Sequence, residues 1–295
     1  MAHRCGDRVE GALPGWAATG RAPANARHGR WPAGRVGGCA RGSGARPRRC
    51  RPATGFTGSK EDFIPLLPPI AAAGYRVICY DQRGQYESAG PDRERAYSTA
   101  LFAGDLREVI GAVGNGDPVH LVGHSFGGLV ARNLVIAEPA LVRSLVLLDS
   151  GPAGASLLHA RWLGLLTGII RLCGPAVLAA LVVQVSRWTG VPAGRLPWLR
   201  HRLARTQRSG LVGMCLALSS EPDRVAELAS TPVPVLVIFG ENDDFWSPQV
   251  QEEMARRLHA PIAVIKDAGH TPNEDQPEAT ADAMLRFWDI TEREP

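Results

Sequence analysis

Residues 1–53 contain a single leucine, Leu13, and no isoleucine, phenylalanine or tyrosine. Without them neither a period-2 nor a period-3.6 apolar face can be drawn, and the stretch cannot offset backbone ordering at about 1–2 kcal/mol per residue. A disordered, basic Arg/Gly-rich segment is the expectation. Its eleven arginines against Asp7 and Glu10 carry +9, which leaves −5 on the rest of a chain whose net charge is +4. An acidic body excludes a nucleic-acid-binding core, so a basic arm for RNA or DNA, or an Arg-rich transit peptide, is a reading of the first segment alone. An unbroken apolar run long enough for a bilayer is also missing. The best candidate, Leu165 to Val185, is interrupted by Arg171 and Gly174-Pro175, so no stable membrane insertion is expected. Six cysteines form no C-x-x-C pair and no metal-ligand spacing with histidine. They read as free thiols of a reducing, cytoplasmic setting, in keeping with an N-terminus that has no apolar signal region. Neither a metal nor an organic cofactor is implied, and the sequence says nothing of oligomeric state.

What is present begins at Thr54. Ser59 and Asp62 form a capping-box-like pair ahead of Phe63, Leu66, Leu67 and Ile70, which predicts a helix to Ala73. Apolar runs at Tyr75–Tyr80, Ser144–Leu148, Val233–Phe239 and Ile262–Lys266 read as buried strands, with helices over 98–113, 248–258 and 277–290. Regular alternation predicts a doubly wound, mostly parallel α/β sheet. Residues 153–229 break it, being helical in composition and rich in Leu, Val and Trp, and read as a helical insertion. The expected organisation is 1–53 as the basic segment, 54–152 and 230–295 as the two parts of the core, and 153–229 as a cap.

The chemistry concentrates at Val119-His120-Leu121-Val122-Gly123-His124-Ser125-Phe126-Gly127-Gly128-Leu129-Val130. An apolar strand ends in Gly-x-Ser-x-Gly and passes at once into a helix, the context a nucleophile elbow requires. Gly123 and Gly127 flank the serine because so sharp a turn leaves no room for a Cβ. A serine hydroxyl needs a base within hydrogen-bond reach, and the base needs a carboxylate. Two further strand ends supply them: Gly240-Glu241-Asn242-Asp243-Asp244 and Asp267-Ala268-Gly269-His270.

In these three motifs the chain resembles α/β-hydrolase-fold proteins of the serine-nucleophile, esterase- and lipase-like branch, over roughly 54–152 and 230–292. The resemblance implies Ser125 as nucleophile, His270 as base and Asp243 as the orienting acid, with Asp244 or Asp149 as alternative acids. It implies an oxyanion hole from the backbone N–H groups of Phe126 and Phe56. His120 and His124 are then packing or hydrogen-bonding residues, and Asp81 and Arg83 belong to a structural turn. The implied activity is cleavage of an ester or thioester of a small apolar acyl substrate through an acyl-enzyme. Lactonase, carbon–carbon bond hydrolase and cofactor-free perhydrolase chemistry use the same triad.

Two departures accompany the resemblance. Thr54 stands where the family has the histidine of a His-Gly pair, and Arg46-Pro47-Arg48-Arg49-Cys50-Arg51-Pro52 stands where it has a central apolar strand. Arginine and proline make that run a poor central strand. Only five strands are predicted, with the N-terminal ones missing or replaced. The composition suggests that 1–53 is not the natural N-terminus, and a hydrolase-like binding scaffold without an oxyanion strand is the reading from another class.

Overall fold

The computed structural model describes residues 36–40, 48–53, 58–114, 116–186 and 196–293. Among them seven strands form one sheet: β1 (Val36–Ala40), β2 (Arg48–Ala53), β3 (Tyr75–Tyr80), β4 (Val119–His124), β5 (Val142–Leu148), β6 (Val235–Gly240) and β7 (Ile262–Ile265). Their order is β1-β3-β2-β4-β5-β6-β7, with β1 antiparallel to β3 and every other pair parallel. Helices cover both faces, which is why β4 and β6 are buried at every residue and β6 is apolar along its length. Side chains alternate between two cores. Leu121, Leu145, Leu147, Val237 and Phe239 pack with α2 (Thr99–Gly114) and α3 (Phe126–Ala137). Val122, Val146, Leu148, Leu236 and Ile238 pack with α1 (Leu67–Ala72) and α11 (Pro277–Arg293). Each such side chain contributes about 1.5–3 kcal/mol.

The sequence reads as having its N-terminal strands missing or replaced; at that place in the sheet stands β2, between β3 and β4, with Arg48 opposite Tyr75, Cys50 opposite His120 and Ala53 opposite Gly123. Ladder formation is a property of the main chain, and β3 and β4 would otherwise face each other with unpaired N–H and C=O groups at about 1–3 kcal/mol each if buried. A run without apolar pattern therefore fills the gap that the sequence reading left open. The rest of 1–53 lies outside the described residues. The first helix also differs, being a 3-10 helix over Lys60–Leu66 followed by the short α1. Pro65, Pro68 and Pro69 remove the N–H groups that a continuous α-helix needs.

Between β5 and β6 stand α4 (Leu157–Cys173), α5 (Pro175–Ser186), α6 (Leu196–Arg205), α7 (Arg208–Ser220) and α8 (Val225–Ala229). Ser156 accepts the His159 N–H at 3.3 Å to start α4, and Gly174, at φ +80°, ends it before Pro175 opens α5. Buried ion pairs tie the block to the sheet: Arg202 of α6 with Asp62, and Arg132 of α3 with Glu221 at 2.9 Å. Removing one partner of such a pair typically costs about 3–5 kcal/mol. Beyond the block, α9 (Pro248–Leu258) precedes β7, and α10 (Pro272–Asp275) precedes α11. No described helix is long and apolar enough to cross a membrane.

The closest backbone approach joins β4 to α3. A Cβ on Gly123 would lie 2.5 Å from the Gly128 Cα and 2.6 Å from the Gly127 oxygen, and one on Gly128 would lie 2.4 Å from the Ser150 hydroxyl. Gly128, which the sequence reading passed over, thus does on the helix side what Gly123 does on the strand side. Because backbone cannot swing aside as a flexible side chain can, Gly123→Ala is expected to lower the unfolding free energy by at least about 1–3 kcal/mol. Urea unfolding of purified wild type and variant checks this; equal midpoints would contradict it.

Candidate active site

Ser125 occupies the turn between β4 and α3 at φ +53°, ψ −123°. For a residue with a side chain such a conformation costs on the order of 1–3 kcal/mol and persists only where its surroundings enforce it. Here the Ser125 N–H donates to the Leu148 carbonyl of β5 at 2.9 Å, and Leu129 and Val130 of the following turn are fully buried. The serine is itself buried. Phe126 opens α3, so its N–H is one of the first-turn donors that have no intrahelical acceptor. Its ring meets Phe102 edge-on at 5.3 Å. Phe56 lies outside the described residues.

The loops after β6 and β7 meet this turn. A Cβ on Gly240 would stand 2.0 Å from the Gly269 oxygen, so glycine lets the two loops touch, and the Asn242 N–H donates to the Ala268 carbonyl at 2.9 Å. His270 is thereby brought between the other two residues. Its Nε2 lies 2.9 Å from the Ser125 Oγ and its Nδ1 lies 2.9 Å from Asp243 Oδ1. The carboxylate accepts, so the proton sits on Nδ1 and Nε2 presents its lone pair to the hydroxyl. Asp243 also accepts the Phe245 N–H at 2.9 Å and the Gln251 side-chain N–H at 2.8 Å. Burial works to raise its pKa, but the hydrogen bonds and charge from His270 and the Phe245 N–H together hold it below the usual carboxylate value.

Of the alternative acids, Asp244 is exposed and makes no contact with His270 among the bonds of this site. Asp149 stands closer. It ends β5 at φ +44°, is fully buried, and accepts the Gly240 N–H at 3.0 Å. Burial, then the negative Asp243 beside it, raises its pKa well above the ordinary value. The two buried acids are thus pushed in opposite directions, Asp149 towards its protonated form and Asp243 towards the carboxylate. Ligand-type atoms of Asp149, Asp243 and His270 lie within 4.8 Å of one another, a spacing set by the Asp243–His270 hydrogen bond that already occupies Nδ1.

Aromatic rings rim the histidine. The Phe245 centroid is 5.5 Å from that of His270, and His159 of α4 stacks on Phe245 at 4.6 Å. Gln251, which fixes the second Asp243 oxygen, was not legible in the sequence. It lies on α9, eight residues beyond the acid, and nothing in its spacing marks it. His120 bridges Ser144 and Glu292 at 2.8 Å each, away from the serine. His124 lies closer in, donating from Nε2 to the His270 carbonyl at 2.8 Å and so holding the loop that carries His270.

His124 gives a pH dependence. Burial, and next the neighbouring His270, lower its pKa from 6.5 to about 4. Between those two values the unfolded chain binds a proton that the folded chain refuses, so stability rises with pH across the window and falls on acidification from 6.5 towards 4. The loss expected is on the order of 3 kcal/mol. Urea unfolding at stepped pH checks it: His124→Asn should flatten the slope in this window by about one proton, and an unchanged slope would contradict the assignment.

Comparison with known proteins places the chain in a family. A family model described as the alpha/beta hydrolase family matches residues 28–283, beginning well upstream of Thr54, where the sequence reading placed the start of the resemblance. "Putative carbamate hydrolase RutD" of Variovorax paradoxus (strain S110) is 38% identical over 124 residues, which are 41% of this chain and 45% of that protein, so the match spans less than half of the relative's length. The 2-(acetamidomethylene)succinate hydrolase of Mesorhizobium japonicum is 27% identical over 249 residues, covering 80% of this chain and 86% of that one. A thermophilic esterase from Thermogutta terrifontis superimposes with a TM-score of 0.73 at 24% identity, over 85% of this chain and 92% of that chain. The chain belongs to the alpha/beta hydrolase family.

Proposed function

We propose that this protein is a serine hydrolase that cleaves the ester or thioester of a small apolar acyl substrate through an acyl-enzyme. The observation that carries the reading is the continuous pair of 2.9 Å contacts from Ser125 Oγ through His270 to Asp243. In this mechanism the Ser125 Oγ attacks the acyl carbon while its proton passes to His270 Nε2. The developing oxyanion is met by the Phe126 N–H, with Phe56 proposed as the second donor. Such donors act where charge appears and are worth about 3 kcal/mol each. The intermediate collapses as the imidazolium protonates the departing alcohol or thiol. Water then enters, gives a proton to Nε2 and releases the acid, restoring Ser125. Asp243 keeps its charge throughout and stabilises the imidazolium. The helical block between β5 and β6 serves as the cap, its Leu, Val and Trp content supporting an apolar acyl pocket.

Kinetics with p-nitrophenyl acyl esters of increasing chain length test this. Ser125→Ala and His270→Ala are each expected to lower kcat by about 10⁴- to 10⁶-fold, and the double variant by little more than either. Full activity in Ser125→Ala would overturn the proposal. The two buried acids separate in the same assay. Asp243→Asn imposes the wrong tautomer on His270 and should cost about 10⁴ in kcat. Asp149→Asn keeps an acceptor for the Gly240 N–H and leaves the His270–Asp243 contact in place, so it should stay within about threefold; the reverse ranking would make Asp149 the working acid.

A further inference from the structure

α4 is apolar on both of its sides. Leu163, Leu166 and Ile170 are buried against the protein, whereas Leu158, Trp162, Leu165 and Leu172 are 61–86% exposed, with Ile169 partly so between them. Their spacing of three and four residues draws one continuous stripe along the outer side of the helix. A helix apolar all round belongs in a core or at an apolar medium, and this one lies on the surface. The charge that its own segment of the chain carries has one sign. Residues 150–220 contain no aspartate or glutamate and eight arginines. Among the described ones Arg202 is spent on buried Asp62 and Arg171 on Glu94, while Arg161, Arg200, Arg205 and Arg208 are exposed.

We propose that this face is a docking surface for an anionic lipid–water interface, the α4 stripe entering the acyl boundary while Arg161 on the helix and Arg208 beside Gly174 at its end meet the headgroups. Apolar area supplies the affinity and positive charge selects an anionic surface, the combination that holds an interfacial helix in place without spanning. Length and charge agree, since no described helix can cross a bilayer. A second copy of the chain fits less well, because two surfaces with arginine in excess would set like charges opposite each other. Docking has a use that rests on the hydrolase reading. Through His159, stacked on Phe245 beside His270, the first turn of α4 forms the rim of the site, so a docked α4 brings the site to the lipid.

The test is co-sedimentation of the full chain with vesicles of phosphatidylglycerol and phosphatidylcholine, or of phosphatidylcholine alone. Binding to the anionic vesicles should exceed binding to the neutral ones by about tenfold or more and weaken in 0.5 M salt. The Trp162→Ser/Leu165→Ser double variant should lose about tenfold of that binding. Both side chains are exposed, so an unchanged thermal midpoint shows that the fold is intact. Ser125→Ala should sediment like wild type, which separates failure of docking from failure of the hydrolase reading. No binding, or equal binding of wild type and double variant, overturns the proposal. So does a lipid-free dimer in sedimentation velocity that the double variant abolishes, which would give the stripe to a second copy.

Discussion

The structure depends on one close approach, where the end of β4 and the start of α3 touch through Gly123 and Gly128 with no side chain between them. It forces the chain to reverse within a single residue and leaves Ser125 in a left-handed conformation that a relaxed chain would not choose. The cost is offset by the two cores on either side of the sheet, which fix β4 and α3 independently. What the molecule gains is a hydroxyl held at the carboxyl edge of the sheet, next to the Phe126 N–H that opens α3 without an intrahelical acceptor. The contact of Gly240 with Gly269 does the same for the two loops that bring the histidine and the acid.

The carboxylates illustrate how burial and charge divide roles. Asp149 and Asp243 end neighbouring strands and are both buried, yet only Asp243 has a cluster of donors from His270, Phe245 and Gln251. Those donors outweigh desolvation and hold its pKa down, whereas at Asp149 burial, and after it the charge of Asp243, works the other way. Two negative charges so close would repel, so the pair favours a single one, on the acid that faces His270.

Much of this was legible in the sequence because it lies in local patterns. Ser125, Asp243 and His270 each follow an apolar strand, and the α9 and α11 starts are marked by Pro248 and Pro277. What was hidden depends on contacts between distant segments. Gln251 is an unremarkable helix residue until α9 packs beside the acid, and His124 anchors the base loop across 146 positions of sequence. The central strand β2 was hidden for another reason: main-chain pairing on both sides specifies it, and its side chains carry no apolar period. Strand-reading rules detect packing and are blind to a ladder alone.

The central claim is that serine, base and oxyanion donor act together as one nucleophilic centre. The most direct measurement is the intact mass of the full chain after brief exposure to a fluorophosphonate, beside Ser125→Ala. One covalent adduct on the wild type, none on the variant, and the modified peptide containing Ser125 are the predicted result. A soluble, folded wild type that takes no adduct, or a variant that takes the same one, would contradict the account.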